Sequence, residues 1–377
     1  MLFAAAAAGA LAPTIRPAGT LREVAGKETV RNAANALEGM HVDASHPLTA
    51  KVLAKVPELA SWENWYQHPR FLTNGHVHTI LPAKLRKTRA VRYYRELVST
   101  PDGGTLAIDL LAGIRRKDQA NGDASSVTTP SSLFTGGALP GADEEEGYTA
   151  FVPEPPPIDP KRPLLLLASG LGGGSQDTYV RSMAATAAER GWQVAVLNMR
   201  ACGSSPVTSP RLFSAYRGAN DDVRLAVAHL RRSRLGGAGV VAAVGWSNSG
   251  TILNNVLAEQ ATTHREVDPA CRIDAGASCA TPLNMPANSA NLQRWFHKAV
   301  YDKNLGKSLR TLWAAARDQY LDPATGEALE VPIWTDGFVA PKAEGDAVFA
   351  ADDLIASTAD SIRALDEAVT RRQYGYA

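Results

Sequence analysis

A serine at a strand-to-helix turn is the residue of this chain best suited to chemistry. Ser247 stands in "GWSNSG" (245–250), after the apolar run "GVVAAVG" (239–245) and before "GTILNNVLAEQ" (250–260). A G-x-S-x-G turn between a buried strand and a helix presents a nucleophilic serine, and small neighbours let the two elements pass closely. Ser249 replaces the usual second glycine here. On this motif alone the serine could equally be a helix cap.

A glycine-rich loop supplies a second part of the same chemistry. "SGLGGGSQDTYV" (169–180) follows another apolar run and opens a helix. In esterases with this turn, one oxyanion donor comes from such a loop and the other is the N–H of the residue after the serine. Leu171 and Asn248 match these two positions. The residues of the loop and turn expected to contact the substrate are Gly170, Gly172 and Trp246.

Short apolar runs that alternate with helical segments predict the elements that position these residues. "PLLLLAS" (163–169), "WQVAVLN" (192–198) and "IDAGASCA" (273–280) are typical of strands buried on both faces. The alternation predicts an α/β fold with a doubly wound, mostly parallel sheet. Upstream, "PDGG" (101–104) between two β-prone runs predicts a hairpin.

Polar residues mark the expected starts of the helices. Ser175 or Asp177 can cap a helix that ends at Gly191. Asn220 or Asp221 can start the next helix, in which apolar residues recur at helical spacing.

Composition divides the chain into an extension, a main domain and an insertion. Residues 1–60 are rich in alanine and predict an N-terminal helical extension, and residues 61–377 predict the α/β domain. Residues 115–160 are rich in Ser, Gly, Pro and acidic residues. Such a segment buries little apolar surface, so we predict a disordered surface insertion.

Charge and cysteine content exclude several classes of function. The net charge of +1 provides no basic surplus for nucleic acid, and three cysteines without C-x-x-C predict no metal or disulfide framework. The glycine loop lacks the P-loop and dinucleotide patterns, so no cofactor is predicted. No apolar run is long enough to span a bilayer. We expect a soluble intracellular protein with at most peripheral membrane contact; the sequence predicts no oligomeric state.

Seven stretches together resemble one family. They are "NGHVHTILPA" (74–83), "RELVSTPDGGTLAIDLL" (95–111), "SGLGGGSQDTYVRSM" (169–183), "GWQVAVLNMRACGSS" (191–205), "NDDVRLAVAHL" (220–230), "VGWSNSGTILNN" (244–255) and "SIRALDEAVTRRQYGY" (361–376). The chain is similar to the α/β-hydrolase-fold branch of plant embryogenesis-associated proteins, bacterial medium-chain ester hydrolases and animal abhydrolase-domain lipases. Two departures are Ser169, where many members have histidine, and Ala201, where glycine is usual.

The resemblance implies a serine hydrolase of carboxylic esters, such as acylglycerols or other lipid or medium-chain esters. It implies Ser247 as the nucleophile and a partial helical cap over residues 284–360. In this family the triad aspartate and histidine follow the segment that matches 361–376. We therefore expect a C-terminally truncated chain without those two residues and without the last strands of the sheet.

Two further functions stay open. The chain could be a non-catalytic remnant that binds a lipid or a partner, with an unactivated Ser247. It could also transfer the acyl group to an alcohol other than water, because hydrolysis and transfer share an acyl-enzyme. Among the eight histidines, only His297 is a remote substitute for the missing base. The aromatic residues of the cap, which could line the acyl site or simply form core, are Trp295, Phe296, Trp313 and Trp334.

Overall fold

A seven-stranded sheet flanked by helices forms the main part of the structure. The computed structural model describes residues 47–56, 74–85, 88–114, 149–212, 217–262, 268–327 and 361–367. The strands are β1 (Val91–Ser99), β2 (Thr105–Ile114), β3 (Thr149–Phe151), β4 (Leu164–Ala168), β5 (Gln193–Asn198), β6 (Val241–Trp246) and β7 (Ala275–Cys279). Their order is β3-β1-β2-β5-β4-β6-β7, with antiparallel pairing only for β1–β2 and β2–β5. The predicted mostly parallel sheet is confirmed.

The helices belong to two compact units. One unit is Ala8–His78, and the other is Thr79–Ala377 together with Met1–Ala7. The α-helices are α1 (Pro47–Lys55), α2 (Gly75–Leu85), α3 (Thr178–Glu189), α4 (Arg217–Leu235), α5 (Asn248–Thr262), α6 (Met285–Leu292), α7 (Trp295–His297), α8 (Lys303–Ala315) and α9 (Ile362–Leu365). A π-helical turn, Lys298–Asp302, joins α7 to α8. Within the described ranges, no helix combines the length and apolar character that crossing a bilayer requires.

The core lies on both faces of the parallel strands. In β4, the alternate residues Leu164 and Leu166 pack with α4 and α5. Leu165 and Leu167 point to the other face and pack with α3. Because successive side chains of a strand point to opposite faces, a continuous apolar run fills both layers at once. The doubly wound arrangement therefore follows from the runs read in the sequence.

A buried ion network ties the predicted hairpin to the parallel strands. The turn between β1 and β2 closes with hydrogen bonds between Thr100 and the glycines 103 and 104. Asp102 in that turn accepts two hydrogen bonds from Arg200, which follows β5. The same guanidinium donates to both carboxylate oxygens of Asp222 in α4, at 2.8 Å each. One arginine thus joins three segments that are far apart in sequence.

The charge of Arg200 keeps this network ionised. Burial alone would raise the pKa of Asp102, but the hydrogen bonds and charge of Arg200 outweigh it and lower that pKa to about 2. The pKa of Arg200 is in turn raised, because the attraction of both carboxylates exceeds the cost of burial. Arg211, which is fully buried, lies 4.0 Å from Asp102 and adds a second cation.

Two expectations about local structure are wrong. The prediction of a disordered insertion over 115–160 is wrong for Thr149–Phe151, because these residues form β3 and pair with β1. Residues 115–148 lie outside the described residues. The helix expected to start at Asn220 or Asp221 starts at Arg217. Asn220 instead donates to Glu259, and Asp221 accepts from Arg224, so neither side chain serves as the cap.

The remaining expectations about domains are not tested by this structure. The boundary predicted between residues 60 and 61 lies outside the described residues. In the described part of the chain, β7 is an edge strand, and four of its five residues are exposed. The expectation that the last strands are missing stays a prediction.

The buried network predicts a large effect on stability. Arg200→Met should lower the free energy of unfolding by about 3–5 kcal/mol, since it leaves buried carboxylates without their cation. The control is Arg232→Met, whose ion pair with Asp268 lies at the surface and should change stability by less than about 1 kcal/mol. Urea unfolding followed by circular dichroism measures both. Equal losses in the two variants would contradict the role given to Arg200.

Candidate active site

The connectivity of the sheet brings two loops together at one edge. The chain passes from β4 to β5 on one side and later returns to β6 on the other side of β4. In open α/β sheets, such a change of direction leaves a crevice at the carboxyl ends of the strands, where ligands bind. The glycine loop 169–174 follows β4, and Ser247 follows β6. Both predicted parts of the site therefore lie at this crevice.

Ser247 has a backbone conformation that is unfavourable for serine. It lies between β6 and α5 with a φ of 51°. Residues other than glycine are disfavoured in this left-handed region, because their Cβ approaches the following carbonyl oxygen. Hydrogen bonds on both sides fix the turn: Ser247 N–H donates to Cys279 O at 3.0 Å, and Thr251 N–H donates to Ser247 O at 3.1 Å. Neighbouring structure therefore holds the strain in place.

Two glycines make room for this turn. A Cβ on Gly245 would lie 2.5 Å from the carbonyl oxygen of Ser249. A Cβ on Gly250 would lie 2.0 Å from Thr281 Oγ1 and 3.1 Å from Gly245 O. Ser249 is itself buried. The missing second glycine of the motif therefore does not disturb the turn, because Gly250 provides the space at the next position.

The glycine loop lies against Ser247. A Cβ on Gly170 would be 3.3 Å from Ser247 Cβ, which places this glycine in van der Waals contact with the serine. Ser247 is only 2% exposed, and its Oγ has no hydrogen-bond partner among the described residues. Several other buried hydroxyls of the described residues also lack a partner, but Ser247 alone among them has a left-handed backbone. The structure thus brings Ser247 and Gly170 together, as the sequence predicts.

The two predicted oxyanion donors flank this contact. Leu171 directly follows Gly170, and Asn248 is the first residue of α5. The first N–H groups of a helix have no acceptor inside that helix, which leaves the N–H of Asn248 available to a ligand. Gly172, at a φ of 72°, continues the loop. Their roles toward a substrate stay predictions.

Trp246 differs from the expected substrate contact. It is 7% exposed and belongs to the core cluster beside α3. Its ring meets the ring of Tyr179 edge-on, with 5.2 Å between centroids. Because strand residues alternate between faces, a side chain at this position of β6 points into the core below the turn.

A buried polar network holds the start of the glycine loop. Tyr179 Oη accepts a hydrogen bond from Gly170 N–H and donates to Asp177 Oδ2, both at 3.0 Å. Ser169 Oγ also donates to Asp177. Burial and the charge of Asp177 raise the pKa of Tyr179 well above its usual value. The phenol therefore stays protonated and fixes Gly170 beside Ser247.

Sequence reasoning missed this network. The sequence indicates Asp177 only as a helix cap. Asp177 does occupy the N-cap position of α3, but its side chain makes no capping bond. The departure at Ser169 was a usable signal, since the hydroxyl that replaces histidine there binds Asp177 and Tyr179.

The end of the loop is anchored on β5. Asn198 Oδ1 accepts a hydrogen bond from Ser175 N–H at 2.9 Å. Asn198 Nδ2 donates to Asp109 Oδ2 at 2.7 Å, and Arg95 donates to both oxygens of that carboxylate. A Cβ on Gly174 would lie 2.5 Å from the Cα of Gly203. The loop is thus held at both ends by buried side chains.

The described part of the predicted cap is helical. Leu312 of α8 approaches the glycine loop, 3.7 Å from a Cβ placed on Gly172. Trp313 packs with Tyr320, and Phe296 packs with Tyr301, so both are partly buried against small core clusters. Trp295 is 82% exposed. Trp334 lies outside the described residues.

No described histidine forms a hydrogen bond with Ser247 Oγ. His229 Nε2 pairs with Glu96 at 2.9 Å, and His297 Nδ1 pairs with Asn291 O at 2.9 Å. The side chains of His41, His46, His68, His78 and His264 lie outside the described set. Within the same residues, no cluster of His, Cys, Asp or Glu is arranged to hold a metal ion.

The family comparison agrees with this geometry. Residues 163–321, which hold the glycine loop, the serine turn and helices α6 to α8, match the model of the α/β hydrolase fold family. The chain therefore has the α/β-hydrolase fold, and the resemblance stated from the sequence is confirmed.

Three curated relatives are similar to this chain. It is 30% identical over 253 residues to embryogenesis-associated protein EMB8 of Picea glauca, with 66% of this chain and 45% of that protein covered. It is 25% identical over 266 residues to a monoacylglycerol lipase of Saccharomyces cerevisiae, with 68% of this chain and 55% of the lipase covered. It is 27% identical over 267 residues to medium-chain fatty acid ethyl ester synthase/esterase 2 of the same yeast, with 67% of this chain and 56% of that protein covered. The chain spans about half the length of these relatives.

The strain at Ser247 predicts an unusual gain in stability. Ser247→Gly should raise the free energy of unfolding by about 0.5–1 kcal/mol. Relief of the left-handed backbone, worth about 1–2 kcal/mol, exceeds the extra chain entropy of glycine, about 0.5–1 kcal/mol. The hydroxyl also has no hydrogen bond to lose.

The matched control for this change is Ser249→Gly in the first turn of α5. It should lower stability by up to about 1 kcal/mol, since it adds glycine entropy without relieving strain. Urea unfolding midpoints measure both variants. A destabilised Ser247→Gly variant would show that the turn is not strained at this residue.

Proposed function

We propose that the chain is a carboxylic ester hydrolase with Ser247 as its nucleophile. Ser247 Oγ attacks the ester carbonyl and forms an acyl-enzyme, while the N–H groups of Leu171 and Asn248 stabilise the oxyanion. The observation that carries this proposal is the contact between a strained, left-handed serine and Gly170 of the preceding glycine loop.

The geometry suits a nucleophile better than a capping residue. A capping serine sits in the extended region and accepts a hydrogen bond from the first turn of its helix. Ser247 has a φ of 51°, and its Oγ accepts no such bond within the described residues. Among the described residues only Ser247 combines a left-handed backbone with a buried hydroxyl that has no hydrogen-bond partner. Both features cost free energy, and their coincidence favours a functional reason.

The loop contact supports the oxyanion assignment. Each hydrogen-bond donor of an oxyanion hole contributes about 2.7–4 kcal/mol to lowering the barrier, provided that it is held in place before the reaction. Tyr179 and Asp177 hold Gly170, and Asn198 holds Ser175 at the other end of the loop. A loop fixed in this way cannot relax away from the serine without breaking buried hydrogen bonds.

Attack by the hydroxyl also requires a group that accepts its proton. That proton passes to a general base and then to the leaving alcohol, after which water releases the acid. No described residue is assigned as this base. His297 is held by Asn291 O, and the aspartates at 336, 346, 352, 353 and 360 lie outside the described residues.

The substrate class follows from the relatives and from the cap. One relative is described as a monoacylglycerol lipase and another as a synthase and esterase of medium-chain ethyl esters. Leu312 lies beside the glycine loop and provides an apolar surface near Ser247. We infer an acylglycerol or another lipid or medium-chain ester as substrate.

Acyl transfer is a second candidate. The name of one relative joins synthase and esterase activities for the same ethyl esters. Both reactions share the acyl-enzyme, and only the second acceptor differs. Formation of an ethyl ester in place of the free acid when ethanol is added distinguishes transfer from hydrolysis.

Labelling with a fluorophosphonate probe tests the nucleophile. The folded chain should react with one equivalent of probe, and peptide mapping should locate the adduct on Ser247, because only an activated serine attacks phosphorus at a useful rate. Ser247→Ala should abolish labelling, and Ser249→Ala should label at the rate of the unchanged chain.

The opposite result identifies a non-catalytic chain. If the folded protein does not label, or labels equally well as Ser247→Ala, Ser247 is not activated. The chain would then be a binding protein that uses the same crevice, and the hydrolase proposal would fail.

A further inference from the structure

Large apolar side chains are exposed around the first helix after β7. Leu283 lies two residues before α6 and is 84% exposed, and Met285 begins that helix and is 50% exposed. Trp295 lies just after the helix and is 82% exposed. Single exposed apolar residues are common, but three around one eight-residue helix mark a surface that another apolar phase can cover. Leu283 and Trp295 are the two most exposed large apolar side chains among the described residues.

Cations follow on one side of the adjoining helical run. Arg294, Lys298, Lys303 and Lys307 are exposed and have no acidic partner within the described residues. They are spaced by four, five and four residues. The five-residue step crosses the π-helical turn, which takes more residues per turn than an α-helix and so returns Lys303 to the same side.

The opposite side of this run is buried, and so is its only acidic residue. Tyr301, Leu305 and Leu309 face the core. Asp302 is fully buried and accepts a hydrogen bond from Ile362 N–H at 3.0 Å. No other acidic residue occurs between 283 and 312. The exposed charge of this segment is therefore entirely positive, although the whole chain has a net charge of only +1.

We infer that these three apolar residues and four cations form a surface that docks on an anionic lipid membrane. Tryptophan is favoured at the level of lipid headgroups, and lysine and arginine are attracted to anionic lipids. Nucleic acid would match the cations but not the exposed leucine and methionine. An acidic protein would match both features, but each partner must also be complementary in shape, which a fluid lipid surface does not require.

The docking surface is separate from the candidate site. Leu312 of the same helical run lies against the glycine loop, and at helical spacing it continues the buried face of Leu305 and Leu309, opposite the cations. The inference therefore does not depend on the proposed function.

Sedimentation of the full chain with vesicles tests the inference without any turnover. Vesicles of phosphatidylcholine with phosphatidylserine should bind the chain, and pure phosphatidylcholine vesicles should bind it far more weakly. Lys298→Gln with Lys303→Gln should weaken binding about 30-fold, at the usual contribution of each cation near an anionic surface. Trp295→Ser should weaken binding at every salt concentration, whereas the effect of the lysines should fade in high salt.

The control variant removes the same charge elsewhere. Lys161 and Arg190 precede β4 and β5, at the opposite end of the parallel strands from the loops that contain the site. Lys161→Gln with Arg190→Gln should bind vesicles as the unchanged chain does. Circular dichroism of each variant confirms that it is folded.

Three results would overturn the inference. The first is equal binding to neutral and anionic vesicles, and the second is equal weakening by the control pair. The third is no vesicle binding together with a dimer that Trp295→Ser dissociates, which would assign the surface to a second copy of the chain. Because binding is measured without ester cleavage, an unreactive Ser247 would leave the outcome unchanged.

Discussion

The close approach of Gly170 to Ser247 is the constraint on which the rest of the site depends. The two residues end neighbouring strands, β4 and β6, and the space between them accommodates a glycine but hardly a Cβ. A side chain on Gly170 would push the loop away from the serine, and the N–H of Leu171 would move with it. The strained φ of Ser247 serves the same arrangement, because it turns the chain from β6 directly into α5.

Buried polar groups hold this contact from three directions. Tyr179 and Asp177 fix the start of the glycine loop, and Asn198 fixes its end. On the serine side, Gly245 and Gly250 let the strand and the helix pack without a gap. Arg200 contributes at longer range, since it joins the turn of the hairpin to α4. Each of these interactions involves a residue in or next to β4, β5 or β6.

The sequence predicted those features that depend on local pattern. Apolar runs identified β4, β5 and β6, since a strand buried on both faces leaves a continuous signature. The serine turn was recognisable because its small residues are contiguous. The ion network of Arg200 was not recognisable, because its partners Asp102 and Asp222 lie 98 and 22 residues away. Strand β3 was missed because Thr149–Phe151 is too short to differ from the polar segment before it.

Two predictions rest on residue type and sequence position alone. Asn220 and Asp221 carry good capping groups, but tertiary partners engage them in place of the helix terminus. Trp246 adjoins the serine in sequence, whereas strand alternation turns its ring into the core, and its contact with a substrate stays a prediction. Functional groups at this site are instead assembled from the ends of different strands, as the switch in strand order requires.

The central claim is that the glycine loop and the serine turn together form an oxyanion site. The most direct measurement is a crystal structure of the chain after reaction with a phosphonate ester, whose phosphonyl oxygen marks the oxyanion position. The account predicts a covalent bond to Ser247 Oγ, with that oxygen within hydrogen-bonding distance of the N–H groups of Leu171 and Asn248. An adduct whose oxygen points away from both groups, or an adduct on another residue, would contradict it.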